Sequence, residues 1–369
     1  MNKWIKYLLA SVILLTVAGY VLRATRGYWL TPPLAAATKA RPPAVPRPAA
    51  GNPPPPAPAS QGGLDKATPK FSELGQSDRR AKLQEIRQKD LGVIFQLWLA
   101  AGRVEHDRMK QRDIGTLLGR ELRYRTKTDG FYAQLQAFLQ DDANPLDERG
   151  QLLLVVRETR TSAALDLLIQ TATISSSDGL RATAIAAIQT AGALWGDGKF
   201  HEELAPALDQ LWGTSHDPLT LGATARAMAG VGAASSIRLL LVAAIEPSSS
   251  DNVRQQFASN ALSNILNPSA VPVLAAALEG QAAVNSATKL ASTALSEMNE
   301  PAAAQALLGW LESADASVAP LAQALVTDVR MPNMLKAYQA ALDPTVPFKN
   351  EQVREAIRAG LAQYHRDRH

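Results

Sequence analysis

Residues 251–280 read DNVRQQFASNALSNILNPSAVPVLAAALEG, and this stretch decides the fold. Asp251 is a residue that caps helices, because its carboxylate can accept from a free backbone N–H of the first turn. Val253, Phe257, Ala261 and Ile265 then recur every four residues with Ala258 and Leu262 beside them, so one face of a helix is apolar. Asn267-Pro268 ends that helix, since proline disfavours the helical conformation in the residue before it. A second, shorter helix follows, with Val271, Leu274, Ala275 and Leu278 inward and Gly280 as its C-cap. A helical hairpin of about thirty residues cannot cover its own apolar face. It must stack on copies of itself.

Comparable first helices begin near Leu180, Leu219, Val253, Val284, Val318 and Val353, so the intervals are 39, 34, 31, 34 and 35 residues. A period in the thirties with a helix pair in each unit signals an α-solenoid. Val253-Arg254, Ala258, Ala261-Leu262, Ile265, Ala270, Pro272, Leu274 and Ala277-Leu278 resemble the HEAT-like repeat of the phycobilisome-lyase type. That pattern runs V-R-x-x-A-A-x-A-L-G-x-I and then A-x-P-x-L-x-x-A-L. Phe257 and Ser263 depart from it, where it has Ala and Gly. Leu180-Arg181 and Val353-Arg354 repeat the opening dipeptide. The resemblance covers roughly residues 144–364 and implies a scaffold with a binding surface. It implies no lyase activity.

Hydrophobic residues make up 46% of the 369-residue chain but aromatic residues only 5%, so the core must be built from Ala, Leu, Val and Ile. The absence of cysteine excludes disulfides, thiolate catalysis and thiolate metal sites. The net charge of +4 conceals an asymmetry. Residues 1–130 hold 22 Lys+Arg against 10 Asp+Glu, or +12, whereas residues 178–320 hold 6 against 13, or −7.

Residues 1–29 carry an apolar run, Trp4 to Leu22, flanked by Lys3, Lys6, Arg23 and Arg26 and bordered by Trp4, Tyr7, Tyr20, Tyr28 and Trp29. That is about the 20 residues a helix needs to cross a bilayer, with aromatics at its two ends. It is read as a cytoplasmic tip and an uncleaved transmembrane anchor. A signal peptide cut near Gly19 is the rival, but Tyr20-Val21-Leu22 continues the apolar run past that point. Residues 30–71 are rich in Pro and Ala, a composition that forms an extended, disordered linker rather than a core. Residues 72–143 read as a basic helical neck: one long helix from Ser77 to near Gly102, another over Met109–Leu122, and a third from Thr128. Its Arg and Lys residues are interspersed with acids and read as solvated helix faces. No groove-reading motif or stacking aromatic accompanies them, so no nucleic-acid partner is expected. Asn144-Pro145 opens the solenoid at 144–364, whose last helix from Asn350 is a polar cap, and 365–369 form a tail.

The search for chemistry finds none. His106, His201, His216, His365 and His369 fall in no metal-ligand spacing, and the serine triplets 175–177 and 248–250 sit in turns between helices. No metal, cofactor, small-molecule substrate or catalytic residue is expected. Trp195, Trp212 and Trp310, each near a helix end, are the candidate partner-binding residues, with filling of the gaps between helix pairs as the alternative. Arg181, Arg254 and Arg354 occupy equivalent places and are expected to bond an acid or a free carbonyl of the adjacent unit.

Together these readings describe an all-α, non-catalytic scaffold or assembly factor of a bacterial-type cell envelope, holding a protein partner in the grooves of its repeats. The alternative is a periplasmic chaperone or foldase. The anchor, linker and helical body share the layout of the lipase-specific foldases, but their R-x-x-F-D-Y motif is absent. Lys3, Lys6 and the short tail before them place the amino terminus in the cytoplasm, the anchor in the inner membrane and the body in the periplasm. A reporter active only in the periplasm and fused after His369 should therefore be active, and protease added to spheroplasts should cut within residues 31–63. Full protection of the body in intact spheroplasts would place it in the cytoplasm instead.

Overall fold

The computed structural model describes residues 70–125, 128–191, 201–245, 252–343, 348 and 350–368. The expected anchor and nearly all of the linker lie outside them. Among the described residues no helix is long and apolar enough to cross a membrane.

The described residues form seventeen α-helices, from 8 to 17 residues long, and no strand. Helices α1 (Gln76–Arg87) and α2 (Leu91–Arg103) precede two stacked layers. The first layer consists of α3 (Arg108–Tyr124), α5 (Leu146–Thr159), α7 (Asp178–Gln189), α9 (Pro218–Val231), α11 (Asn252–Leu262), α13 (Ser286–Ser296), α15 (Ala319–Thr327) and α17 (Glu351–Arg366). The second consists of α4 (Asp129–Gln140), α6 (Ser162–Ile174), α8 (Ala205–Thr214), α10 (Ala234–Ile245), α12 (Val271–Leu278), α14 (Pro301–Ser313) and α16 (Pro332–Ala341). Each helix packs on its neighbours within its own layer. The side chains between the layers make one continuous core of Leu, Ala, Val and Ile.

Local chemistry starts most first-layer helices. Asp107, Ser177, Asp217, Asn285 and Asn350 each accept a backbone N–H of the turn they open, which satisfies donors that a helix N-terminus leaves free. At the other end of α9, Gly232 takes a left-handed conformation (φ 68°) that ends the helix. A side chain there would collide with Asn267, whose amide donates to the Val231 carbonyl.

The period read from the sequence returns as polar ties between successive pairs. Asn267 reaches back 36 residues to Val231, Asn333 reaches 34 to Asn299, and Asn350 reaches 36 to Ala314. Each tie joins a side-chain amide to a backbone carbonyl freed where a helix or turn ends.

Three expectations are corrected. The long neck helix is two helices, because the guanidinium of Arg125 binds the Arg87 and Lys89 carbonyls (2.8 and 2.9 Å) and holds the break open. Residue 144 is not a domain boundary: α3 stacks on α5 and α4 on α6, and 67–369 form one compact unit. The neck is thus the first turn of the solenoid, and α5 begins at Leu146, directly after the Asn144-Pro145 opening. Finally, α11 ends at Leu262, and Ile265 reaches the core from a turn, whereas Val253 is 43% exposed.

Packing is close between α15 and α17, where a Cβ on Gly360 would lie 2.8 Å from both the Gln323 carbonyl oxygen and Val326 Cβ. Gly360→Val is therefore expected to cost about 1–3 kcal/mol by overpacking. Leu262→Ala, at a fully buried position, should cost about 2–5 kcal/mol through the cavity it leaves. Arg238→Ala, on the exposed face of α10, should stay within about 0.5 kcal/mol. Urea denaturation of the three variants measures these differences, and equal losses would refute the packing.

Candidate partner-binding clefts

Two of the three tryptophans singled out in the sequence are inside the protein. Trp212 is 3% exposed, with the Arg254 guanidinium 4.9 Å from its ring centre. Trp310 is 5% exposed, and its indole N–H donates to the Gln281 carbonyl at 2.8 Å. Both fill gaps between neighbouring helix pairs and have no ring face to offer a partner. Trp195 lies outside the described residues.

Arginine near the start of a first-layer helix does cover carbonyls. Arg254 donates to Trp212 and, at 2.9 Å, to Ser215, at the end of α8. Arg354 donates to Leu342 and Asp343 after α16, at 3.3 and 2.9 Å. Carbonyls at a helix C-terminus carry partial negative charge, so a cation there is favourable. Arg181 differs, since its side chain is half exposed, its ion pair is with Asp178 at 3.7 Å, and it reaches Asp217 of the next pair through its charge alone. An arginine that the sequence reading passed over, Arg149, is buried at the corresponding place in α5.

Among the histidines, His201 is held on both sides. Its Nε2 lies 2.8 Å from Arg123 and its Nδ1 lies 3.1 Å from Glu203. An arginine can only donate, so Nε2 accepts and Nδ1 carries the hydrogen toward Glu203. Among the described residues no three His, Asp or Glu side chains gather as a metal site would require.

Two open clefts and two exposed leucines meet on the outer face of α5. Gly115 and Gly119, one turn apart on α3, let that helix approach α5 closely. A Cβ on the first would lie 3.0 Å from Val155 Cγ2, and one on the second 3.0 Å from the Val155 carbonyl oxygen. Beside this contact is a cleft of about 410 Å³, floored by Trp98 and Val155 and rimmed by Arg108, Arg112 and Arg157. A second cleft of about 480 Å³ lies between α5 and α7. Leu154 and Gln151 line both. Leu146 and Leu154 stand 49% and 44% exposed on the ridge. Along α3, Arg108, Arg112, Thr116, Arg120 and Tyr124 form an exposed stripe at four-residue spacing. The Gly115/Gly119 spacing was the available sequence signal, but without knowing that α3 faces α5 it has no meaning.

No protein-family model matches this chain, and no curated protein matches it. Solved structures resemble it only at low levels, among them the following two. The complex of CpcE and CpcF of phycocyanin lyase from Nostoc sp. PCC7120 is 16% identical, covers 75% of this chain and 95% of its own, and superposes with a TM-score of 0.28. Human deoxyhypusine hydroxylase in complex with glycerol is 16% identical, covers 79% of this chain and 100% of its own, and has a TM-score of 0.26. Likeness at this level transfers neither a function nor a site to this chain.

The arginines that look equivalent in sequence should therefore differ in effect. Arg254→Leu removes two charge-assisted hydrogen bonds and the contact with Trp212, and is expected to cost about 2–4 kcal/mol. Arg181→Leu removes one exposed ion pair and should cost under about 1 kcal/mol. Thermal denaturation of both variants decides the point, and equal effects would contradict these assignments.

Proposed function

We propose that this chain is a membrane-anchored, non-catalytic protein-binding scaffold or assembly factor of the bacterial cell envelope. Residues 1–29 hold it in the inner membrane, residues 30–71 space it from the bilayer, and the helical stack meets its partner in the periplasm. The observation that carries the binding role is the ridge of α5, with two exposed leucines and a cleft on either side. Exposed apolar side chains beside open clefts, rimmed by polar groups, are how association surfaces are built.

Charge supports a partner of a particular kind. Arg108 makes no ion pair among the described residues, and Arg112 has only a long one to Asp113, at 3.6 Å. A partner segment with apolar side chains for Leu146 and Leu154, and with carboxylates for Arg108 and Arg112, would be complementary to this face.

The test is crosslinking and co-purification of the full chain from membranes. Leu154→Glu and the double variant Arg108→Glu/Arg112→Glu should each lose the partner captured by the unmodified chain while melting at nearly the same temperature. Capture should also weaken as salt rises, because exposed charges are screened. A partner retained by both variants would refute this surface. Turnover of a substrate that vanished with one polar side chain while the fold survived would refute the non-catalytic reading.

A further inference from the structure

A cavity of about 290 Å³ lies between two successive inter-helix turns, 141–145 and 175–177, and shares Leu180 with the cleft between α5 and α7. Its apolar walls are Leu139, Leu167, Ile174 and Leu180, and Arg149 and Gln170 supply polar groups. Cavities that hold small ligands start at roughly this size, about 300 Å³.

Arg149 is 7% exposed. Its Nη1 donates to Asp142 at 2.7 Å and to the Leu139 carbonyl at 3.4 Å. Nothing bonds to its Nε, which is buried, and no bond is made by Nη2. The Nε–Nη2 edge is thus left over, and such an edge matches the two oxygens of a carboxylate. Arg354, at the corresponding place in α17, uses its Nη2 on two carbonyls instead. In the same cavity the Oε1 of Gln170 is buried and accepts no hydrogen bond. The Nε of Arg149 and the Oε1 of Gln170 are both shielded from water, and buried polar atoms are costly unless something joins them.

We infer that this cavity binds an aliphatic residue through its free α-carboxylate. The carboxylate lies on the Nε–Nη2 edge of Arg149, the ligand's N–H donates to Gln170 Oε1, and the aliphatic side chain rests against Leu167, Ile174 and Leu180. A free amino acid and the last residue of a polypeptide share this chemistry. The inference is independent of the α5 ridge.

Calorimetric titration of the full chain in detergent micelles tests it with L-leucine, N-acetyl-L-leucine and N-acetyl-L-leucine amide. Saturable binding of L-leucine alone identifies a free amino acid, and binding of N-acetyl-L-leucine identifies a chain terminus. The amide, without a carboxylate, should not bind. Arg149→Met should weaken binding about a hundredfold and Gln170→Leu about tenfold. Gln170 is only partly buried as a residue, so the second variant keeps the test alive if the first does not fold. Binding of neither carboxylate at millimolar concentration would overturn the inference. So would equal binding of the amide, or affinity unchanged by Gln170→Leu.

Discussion

None of the described helices is built to stand alone. The longest described one has 17 residues and the shortest 8, and isolated helices of such lengths are marginal in water. Each gains stability only by giving its apolar stripe to a neighbour in its own layer and another across it. The demand passes along the chain until something with a different outer face stops it. Here both ends are treated that way. At the start, Phe95 stacks on Trp98 (5.8 Å between ring centres) and meets Phe131 and Phe138 edge-on. At the finish, α17 keeps Val353, Ile357 and Leu361 inward while Glu351 pairs with Arg354, and Glu355 with Arg358, along its sides.

The same demand explains the composition. Two layers of closely packed helices leave room for small side chains, so Ala and Leu carry the interior and large aromatics are confined to places where geometry opens a gap. Trp212 and Trp310 are such places. Small residues also mark the nearest approaches within the first layer: Gly115 and Gly119 against Val155, Gly222 against Phe257, and Gly360 against Gln323 and Val326. Where α3 and α5 are drawn together by missing side chains, the surface above them is left hollow, and the cleft beside α5 is that hollow.

Period, helix pairing and the polar last helix were legible in the sequence, because hydrophobic spacing and Asn, Asp, Ser and Pro punctuation are local signals. The break at residues 88–90 was not, since the group that holds it, Arg125, comes from a different helix. The separation of neck from solenoid was misread for a related reason. Composition changes near residue 144, but stacking depends on which faces are apolar, and α3 and α4 present the same kind of face as the pairs after them. The tryptophans show the limit most plainly: a ring near a helix end has the same sequence signature whether it points into the gap or away from it. Arg149 and Gln170 are 21 positions apart in sequence, and only the folding of two turns side by side brings them to one cavity.

The guanidinium groups placed over helix ends by Arg149, Arg254 and Arg354 bear on how such a chain can grow. Each junction joins a donor near the start of one helix to carbonyls that any helix terminus leaves over. Neither half depends on the identity of its neighbour. Copying a whole helix pair within the gene would bring both halves along, and the array would lengthen without new contacts having to arise. Copying or deleting half a pair would strand an arginine without a helix end and a helix end without its cover. Changes in length are thereby channelled into whole pairs, and divergence between repeats is free to concentrate on the outward faces.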